Sequence, residues 1–455
     1  MDREVLNVCE AVRRAGGRAM MVGGSVRDRL LGIRSKDYDL EVYGIEPSRL
    51  RSLLEQIATV NTVGEHFAVY KLTSPGGRVE IDVTIPRRES KSGRGHRGFV
   101  IEGDPWMSFE EAARRRDFTI NAILYDPLTD ETVDPYGGRS DLEHRALRAV
   151  APDTFVEDSL RVLRAVQLAA RFRMSIATET VALCRAIDLS DLPHERVWGE
   201  MEKLLTRADR PSIGLRAALD LGVLDKLFPE VRAMVGCPQD PQLHPEGDVF
   251  THTLLCLDRA AEIALDLSKE KRIVVMLAAF CHDLGKPVTT ALIDGRVQAP
   301  GHDCKGIAPT RAVMDRLGLY TLGGYRVRAH VMALVAHHLK PEQFYRDRDR
   351  VTDGDFRRLA LKIEIDLLHR LARADALARG AASSEAGPDW FIARARALSV
   401  EHGAPAPLLK GRHLIEAGFE PGPKMGEILR RVYDLQLDGK VGDLEEALAA
   451  ARNST

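Results

Sequence analysis

Aromatic residues are scarce, at 5% of 455 positions, while helix-forming residues are abundant, so most of the chain is expected to be helical. Net charge is nearly absent. Sixty-five Lys and Arg against 67 Asp and Glu leave −2, so any nucleic-acid binding has to come from local basic patches. The six cysteines, Cys9, Cys184, Cys237, Cys256, Cys281 and Cys304, contain no Cys-x-x-Cys pair. That fits free thiols in a reducing cytosol better than a disulfide framework. Long apolar runs are missing too: the longest, Ile273–Cys281, is far too short to cross a bilayer. The opening Met-Asp-Arg-Glu does not read as a signal peptide, so a cytoplasmic protein with no membrane partner is expected. There is no internal repeat and no low-complexity tract. The length is too great for one core and suggests about three domains.

What is present centres on residues 18–42. Met20, Met21 and Val22 read as the end of a short buried strand. Gly23 and Gly24 permit a tight turn and a close approach to a ligand. Ser25 is expected to cap a helix over Val26–Leu31 that Gly32 ends. A helix start after a glycine turn offers N–H groups to phosphate, and Arg27 adds a planar cationic fork. Asp37 and Asp39 follow, two apart, so on a strand both carboxylates leave one face. They repel each other unless a hard divalent cation, Mg²⁺ first, holds them. Together the two halves describe a phosphate cradle facing a metal site.

This stretch resembles the head of the class II tRNA nucleotidyltransferase and bacterial poly(A) polymerase superfamily, whose signature is Gly-Gly-x-Val-Arg-Asp followed by Asp-x-Asp. The resemblance implies an α+β head with a small mixed sheet, and mostly α-helical regions after it. Phe67–Leu72 and Val79–Ile85 read as a strand pair around the turn Ser74-Pro75-Gly76-Gly77. Glu80 and Asp82 share the polar face of the second strand, and alignment to the family pattern favours Asp82 as the third catalytic carboxylate over Glu80. Residues 87–97 carry five Arg or Lys against one Glu and read as a mobile basic loop. In the family such a loop helps to switch nucleotide choice.

Arg114-Arg115-Arg116-Asp117-Phe118-Thr119-Ile120-Asn121-Ala122 matches another family motif and is expected at a helix start. The match implies that Arg116 contacts phosphate, that Asp117 accepts from the ribose hydroxyl, and that Asn121 supports them. Phe155 through Ala165 reads as the opening of one long helix, with Asp158 and Arg161 three apart on one face. Asp only accepts hydrogen bonds and Arg only donates them. Side by side they mimic a Watson–Crick edge that fits the amino donor and ring-nitrogen acceptor shared by cytosine and adenine. Glu157-Asp158-Ser159-Leu160-Arg161 fits the family's templating motif Glu-Asp-x-x-Arg, and Arg164 lies one turn on, toward the phosphates. Glu195-Arg196-Val197-Trp198-Gly199-Glu200 resembles a helix-stabilising family motif.

A histidine- and aspartate-bearing region follows a proline-rich boundary at 237–245. An His282-Asp283 doublet ending an apolar helix, with Lys286 behind it, points to metal coordination, because an unpaired buried ion is costly. The set resembles the HD phosphohydrolase superfamily. That implies His252, His282, Asp283 and Asp375 as ligands to a divalent transition metal such as Mn, Ni or Fe, with His302, His337 and His338 where dinuclear relatives place more. In the tail, Gly422-Pro423-Lys424 offers backbone amides to an RNA phosphate or simply caps a helix.

The expected division is a catalytic head over 1–145, a helical neck over 146–235, an HD domain over 236–400 and a helical tail over 401–455. The expected function is addition or repair of the 3′-terminal C-C-A of tRNA from CTP and ATP, with Mg²⁺ at Asp37 and Asp39, and metal-dependent phosphoester hydrolysis in the HD domain. No obligate protein partner is evident. The rivals are a poly(A) polymerase or an A-adding specialist, and an HD phosphohydrolase with a non-catalytic RNA-binding head. Leu168-Ala169-Ala170-Arg171-Phe172 stands where poly(A) polymerases usually carry Gly-Arg-Arg/Lys-Phe, which argues against the first.

Overall fold

The computed structural model describes residues 2–34, 37–63, 69–73, 80–91, 99–380 and 383–453. The chain divides into two compact units: residues 1–200 with 213–227, and residues 201–212 with 228–455.

The first unit is built on a seven-stranded mixed sheet. Its strands are β1 (Arg18–Met21), β2 (Asp37–Tyr43), β3 (Thr59–Val63), β4 (Val69–Thr73), β5 (Glu80–Thr84), β8 (Leu124–Tyr125) and β9 (Thr132–Val133), with β6 (Arg87–Lys91) and β7 (Phe99–Gly103) forming a separate hairpin. The order is β3-β4-β5-β2-β1-β8-β9, and only the β2–β5 pair is parallel. That pairing sets Asp37 opposite Glu80 and Asp39 opposite Asp82. Leu40, Val42, Ile81 and Val83 sit in the core, as the alternation of each strand requires. Helix α1 (Arg3–Arg14) buries Val5, Val8 and Val12.

Four local expectations are revised. The helix after the glycine turn spans Gly24–Leu30, its N-cap is Gly23, and Ser25 lies inside it. The Ser25 hydroxyl donates backwards to the Val22 carbonyl, 2.8 Å away, and so braces the turn rather than capping the helix. The basic segment expected as a loop contributes a strand, Arg87–Lys91, paired with Phe99–Gly103; positions 92–97 of it, the turn 74–77, and the strand ends Phe67 and Val79 lie outside the described residues. The three arginines end a helix, Phe109–Arg114, rather than start one. The long helix expected from Phe155 is two: Pro152–Phe155, then Leu160–Phe172. Asp158 stands between them and accepts from the Leu160 amide at 3.1 Å. A short polar side chain that bonds its own backbone two residues on competes with helix continuation.

The second unit is helical. Val249–Ile263, Lys269–Cys281, Val327–His337 and Ile365–Ala378 pack on one another. Lys269–Cys281 is buried over its whole apolar stretch, which is why it is apolar on all sides. Gly411–Glu416, Pro423–Leu437 and Leu444–Arg452 share a small core of Leu414, Val432 and Ala447. Arg357 donates to the Leu437 carbonyl and ties this tail to the helix Asp353–Ala360. Among the described residues, no helix is long and apolar enough to cross a membrane.

Candidate functional site

Three carboxylates meet at the edge of β2 and β5. Asp37 and Asp39 leave β2 on one face, and Asp82 pairs with Asp39 across the parallel ladder. Gly23 holds φ +69°, a conformation that favours glycine, and turns the chain above them. A Cβ built at Gly23 would lie 3.6 Å from Asp39 Oδ2 and 3.2 Å from Arg116 Nη1, so the turn, the carboxylate and the guanidinium crowd together. Asp39 is exposed as a residue, but the crowding around its carboxylate strips water from it and raises its pKa. Arg116 opposes the rise, while Asp82 and Asp37 add to it. Oxygen ligands that repel one another and still reach solvent fit a hard divalent cation. Lys71, opposite Asp82, lies 3.5 Å from it and offsets part of that charge.

Behind the cradle, a buried network fixes the motif residues. Arg27 Nη1 donates to Asn121 Oδ1 at 2.8 Å, and its guanidinium stacks on Phe172 at 4.3 Å. Asn121 Nδ2 donates to Asp117 Oδ1 at 2.9 Å, and Arg164 Nε donates to Asp117 Oδ2 at 2.6 Å. Burial would raise the Asp117 carboxyl, but Arg164 and Asn121 outweigh it and hold the group below the ordinary carboxylate range. Arg27 also donates from Nε and Nη2 to Asp28, and Arg164 spends its Nε on Asp117 while its terminal nitrogens are donors for a further partner. Arg116 Nε is buried with no hydrogen-bond partner among the described residues.

The pair Asp158 and Arg161 is not an ion pair. Asp158 Oδ2 meets Arg196 Nη2 at 3.2 Å instead. Arg161 donates to the Thr154 carbonyl at 2.7 Å and the Arg115 carbonyl at 2.6 Å. An arginine has five N–H groups, so donors remain for a planar partner. Arg196 belongs to the motif expected to stabilise a helix, and its reach to Asp158 spans 38 residues of sequence.

In the second unit, His252, His282 and Asp283 converge, and so do Asp283, His302 and His338. Asp375 Oδ1 lies 2.9 Å from His252 Nε2. The ring tautomers follow from the partners. His282, His302 and His338 each place Nδ1 on a backbone carbonyl, of Ala279, Ala299 and Val335, which accepts only. Each Nε2 therefore presents a lone pair. The Nε2 atoms of His302 and His338 face each other at 3.1 Å, and those of His252 and His282 are buried without hydrogen-bond partners among the described residues. Asp283 Oδ2 accepts no well-angled hydrogen bond although Lys286 Nζ is 2.8 Å away. Converging buried lone pairs are costly unless a cation fills the space between them, and these residues fit a divalent transition metal. Burial lowers the His338 pKa to about 4, in keeping with a neutral ligand. His337 stands outside the cluster: adjacent helical residues point about 100° apart, so His338 alone turns in. A cavity of about 570 Å³ opens onto Asp283, His302, His338 and Asp375, with Lys286 and Arg379 on its wall.

Comparisons with known proteins match the chain along most of its length. The description "Poly A polymerase head domain" matches residues 19–148, "Probable RNA and SrmB- binding site of polymerase A" matches 173–234, and "HD domain" matches 249–380. A "Multifunctional CCA protein" of Xanthomonas campestris pv. campestris (strain B100) is 36% identical over 429 residues, covering 90% of this chain and 95% of that protein. The chain belongs to the multifunctional CCA protein family. The family member of Mannheimia succiniciproducens is 40% identical over 333 residues, 71% of this chain and 76% of its own length. In fold, the chain is similar to a CCA-adding enzyme solved with CTP, with a TM-score of 0.66, 22% identity, and 100% and 96% of the two chains covered. A Thermotoga maritima CCA-adding enzyme complexed with tRNA has a TM-score of 0.63 at 21% identity, with 100% and 96% covered.

For a multifunctional CCA protein, the structure adds residues that sequence reasoning passed over. Glu41, fully buried, continues the Asp37, Asp39 alternation and takes Arg115 Nη2 at 2.5 Å. That i, i+2 spacing was a usable signal. Glu246 accepts from both His244 and His252, at 2.9 and 2.7 Å, and so fixes the tautomer of His252. Nothing in its sequence position marks it beyond its nearness to His252.

Proposed function

We propose that this chain adds or repairs the 3′-terminal C-C-A of tRNA, using CTP and ATP and releasing pyrophosphate. The observation that carries this reading is the meeting of Asp37, Asp39 and Asp82 beneath the Gly23 turn and Arg116, in the same compact unit as Asp158 and Arg161. Asp37 and Asp39 would hold Mg²⁺, with Asp82 as the third carboxylate. Divalent ions held there would supply Lewis acidity for the tRNA 3′ hydroxyl and would neutralise charge on the leaving pyrophosphate. Gly23, Gly24 and Ser25 shape a turn low enough for a triphosphate to approach, and Arg116 gives it a fixed cation. Arg27, Asn121, Asp117 and Arg164 keep this wall rigid beside the sugar. Asp158 accepts from the amino group that cytosine and adenine share, while Arg161 donates to the neighbouring ring nitrogen. Arg196 holds Asp158 from behind.

In the second reading, which stands beside the first, the HD domain hydrolyses phosphoesters. The cavity over the lone-pair cluster, with Lys286 and Arg379 on its wall, favours it. His252, His282, Asp283 and Asp375 hold the metal, and His302 and His338 extend the set. Imidazole nitrogens mixed with carboxylate oxygens suit Mn, Ni or Fe. The working division is head 1–145, neck 146–235, HD domain 236–400 and tail 401–455, with the tail near tRNA. The free state of all six cysteines supports a cytoplasmic location.

Incubating the protein with tRNA that lacks C-C-A, and with each NTP alone and in pairs, tests the assignment. Two residues added with CTP and three with CTP plus ATP are expected. A ladder with ATP alone would point to a poly(A) polymerase, one A on a C-C end alone to an A-adding specialist, and no product to a non-catalytic head.

A further inference from the structure

Glu41 is a carboxylate with 0% exposure, on the strand face that carries Asp37 and Asp39, and it has no part in the mechanism above. A buried carboxylate is costly unless charge and hydrogen bonds offset it. Here Tyr43 OH donates to Oε2 at 2.7 Å, Arg115 Nη2 to Oε1 at 2.5 Å, and Arg116 Nη2 stands 3.5 Å from Oε1. The two guanidiniums hold the Glu41 carboxyl below its ordinary value despite its burial. The other nitrogen of the Arg116 fork, Nη1, crowds Gly23, where Asp39 Oδ2 also arrives. One guanidinium thus lies between two carboxylates, and the cradle needs only one of them occupied.

We propose that Glu41 is a positioning residue for the nucleotide triphosphate, anchoring Arg116 in the cradle and keeping that guanidinium from closing on Asp39. The inference rests on the reading of Arg116 as a phosphate contact. Attraction is stronger away from water, so the fully buried Glu41 outcompetes the solvent-accessible Asp39 for the shared cation. Its charge matters as much as its shape. A glutamine would fill the same volume, but Arg116 would then find its nearest anion in Asp39, at once withdrawing a donor from the phosphates and blocking a metal-binding oxygen. A merely structural carboxylate would lower stability when replaced and leave the contrast between a triphosphate and a monophosphate unchanged.

The test is calorimetric titration of the full chain, without tRNA, using CTP and CMP on wild type, Glu41→Gln and Arg116→Ala. For Glu41→Gln, CTP affinity should fall about tenfold or more while CMP affinity stays within about twofold. Binding of Mn²⁺ alone, followed by paramagnetic resonance in an Asp283→Ala background that removes an HD-site ligand, should weaken when Glu41→Gln is added. Unchanged CTP affinity in Glu41→Gln, alongside a loss in Arg116→Ala, overturns the positioning role. Unchanged CTP affinity in Arg116→Ala instead overturns the phosphate reading on which it rests. Thermal melting establishes folding first. If Glu41→Gln does not fold, Glu41→Asp carries the test: it keeps the charge but withdraws it, and should cost about threefold or more for CTP and nothing for CMP.

Discussion

Asp158 and Arg161 sit three residues apart and hold different partners, Arg196 for the first and the Thr154 and Arg115 carbonyls for the second. Replacing Asp158 with Ala should relax discrimination against UTP and GTP more than it slows CTP. A wrong base sets its carbonyl against the carboxylate, and an unpaired buried acceptor costs roughly 1–3 kcal/mol, or about one to two decades of selectivity. Single-turnover incorporation of the four NTPs measures this; an undiminished preference for CTP over UTP rejects the template. The pair was legible as residue types, and its partners were not. Arg196 reaches Asp158 across 38 residues, a contact that only the tertiary fold creates. Asp117 makes a second prediction. Its folded pKa is depressed, so its contribution to stability is complete above the ordinary value of 3.8 and is lost as pH falls below it toward the folded value. Wild type should therefore lose stability more steeply than Asp117→Asn over that acid range, as read by denaturant melts at stepped pH. Parallel slopes would contradict the network drawn around Arg164.

At the scale of elements, the carboxylate strand could be read from period-two spacing alone, because Asp37 and Asp39 must share a face whatever the fold. Which strand faces them could not, since the β2–β5 register joins residues more than 40 apart. The split before Leu160 was hidden for a local reason: the apolar pattern runs through it, and the Asp158 side chain bonds the Leu160 amide at the break. In the HD domain, a Cβ at Gly285 would lie 2.0 Å from the His302 carbonyl oxygen and 2.6 Å from the Gly306 nitrogen, backbone atoms that have little room to yield. Gly285→Ala should then push away the short helix that carries His302, destabilise its unit by about 1–3 kcal/mol and lower bound metal. Melting and elemental analysis check this together. Full metal content with unchanged melting would show that the two segments can part freely.

At the scale of the whole molecule, two compact units carry two unrelated ligand sets, oxygen-rich around Asp39 and nitrogen-rich around His282. Independent sites should respond independently. Asp283→Ala is expected to abolish metal-dependent phosphoester hydrolysis while tRNA end addition stays within about twofold of wild type. Parallel loss of both activities in a folded variant would count against separate centres. The His282-Asp283 doublet made the second site legible, because so few residue types explain a buried ionic pair at a helix end. Completion of the set by His338 rather than His337 depended on the rotation of one helix, which no sequence period fixes to a single residue.

The most direct test of the central claim compares nucleotide addition with tRNA binding in one set of variants. Wild type, Asp37→Ala and Asp39→Ala are given CTP, ATP and tRNA lacking C-C-A, with products sized on a gel and tRNA affinity measured in parallel. Loss of addition beyond a trace in each variant, with tRNA affinity retained, is the predicted result. Addition near the wild-type level in both would contradict the assignment of this strand as the catalytic centre.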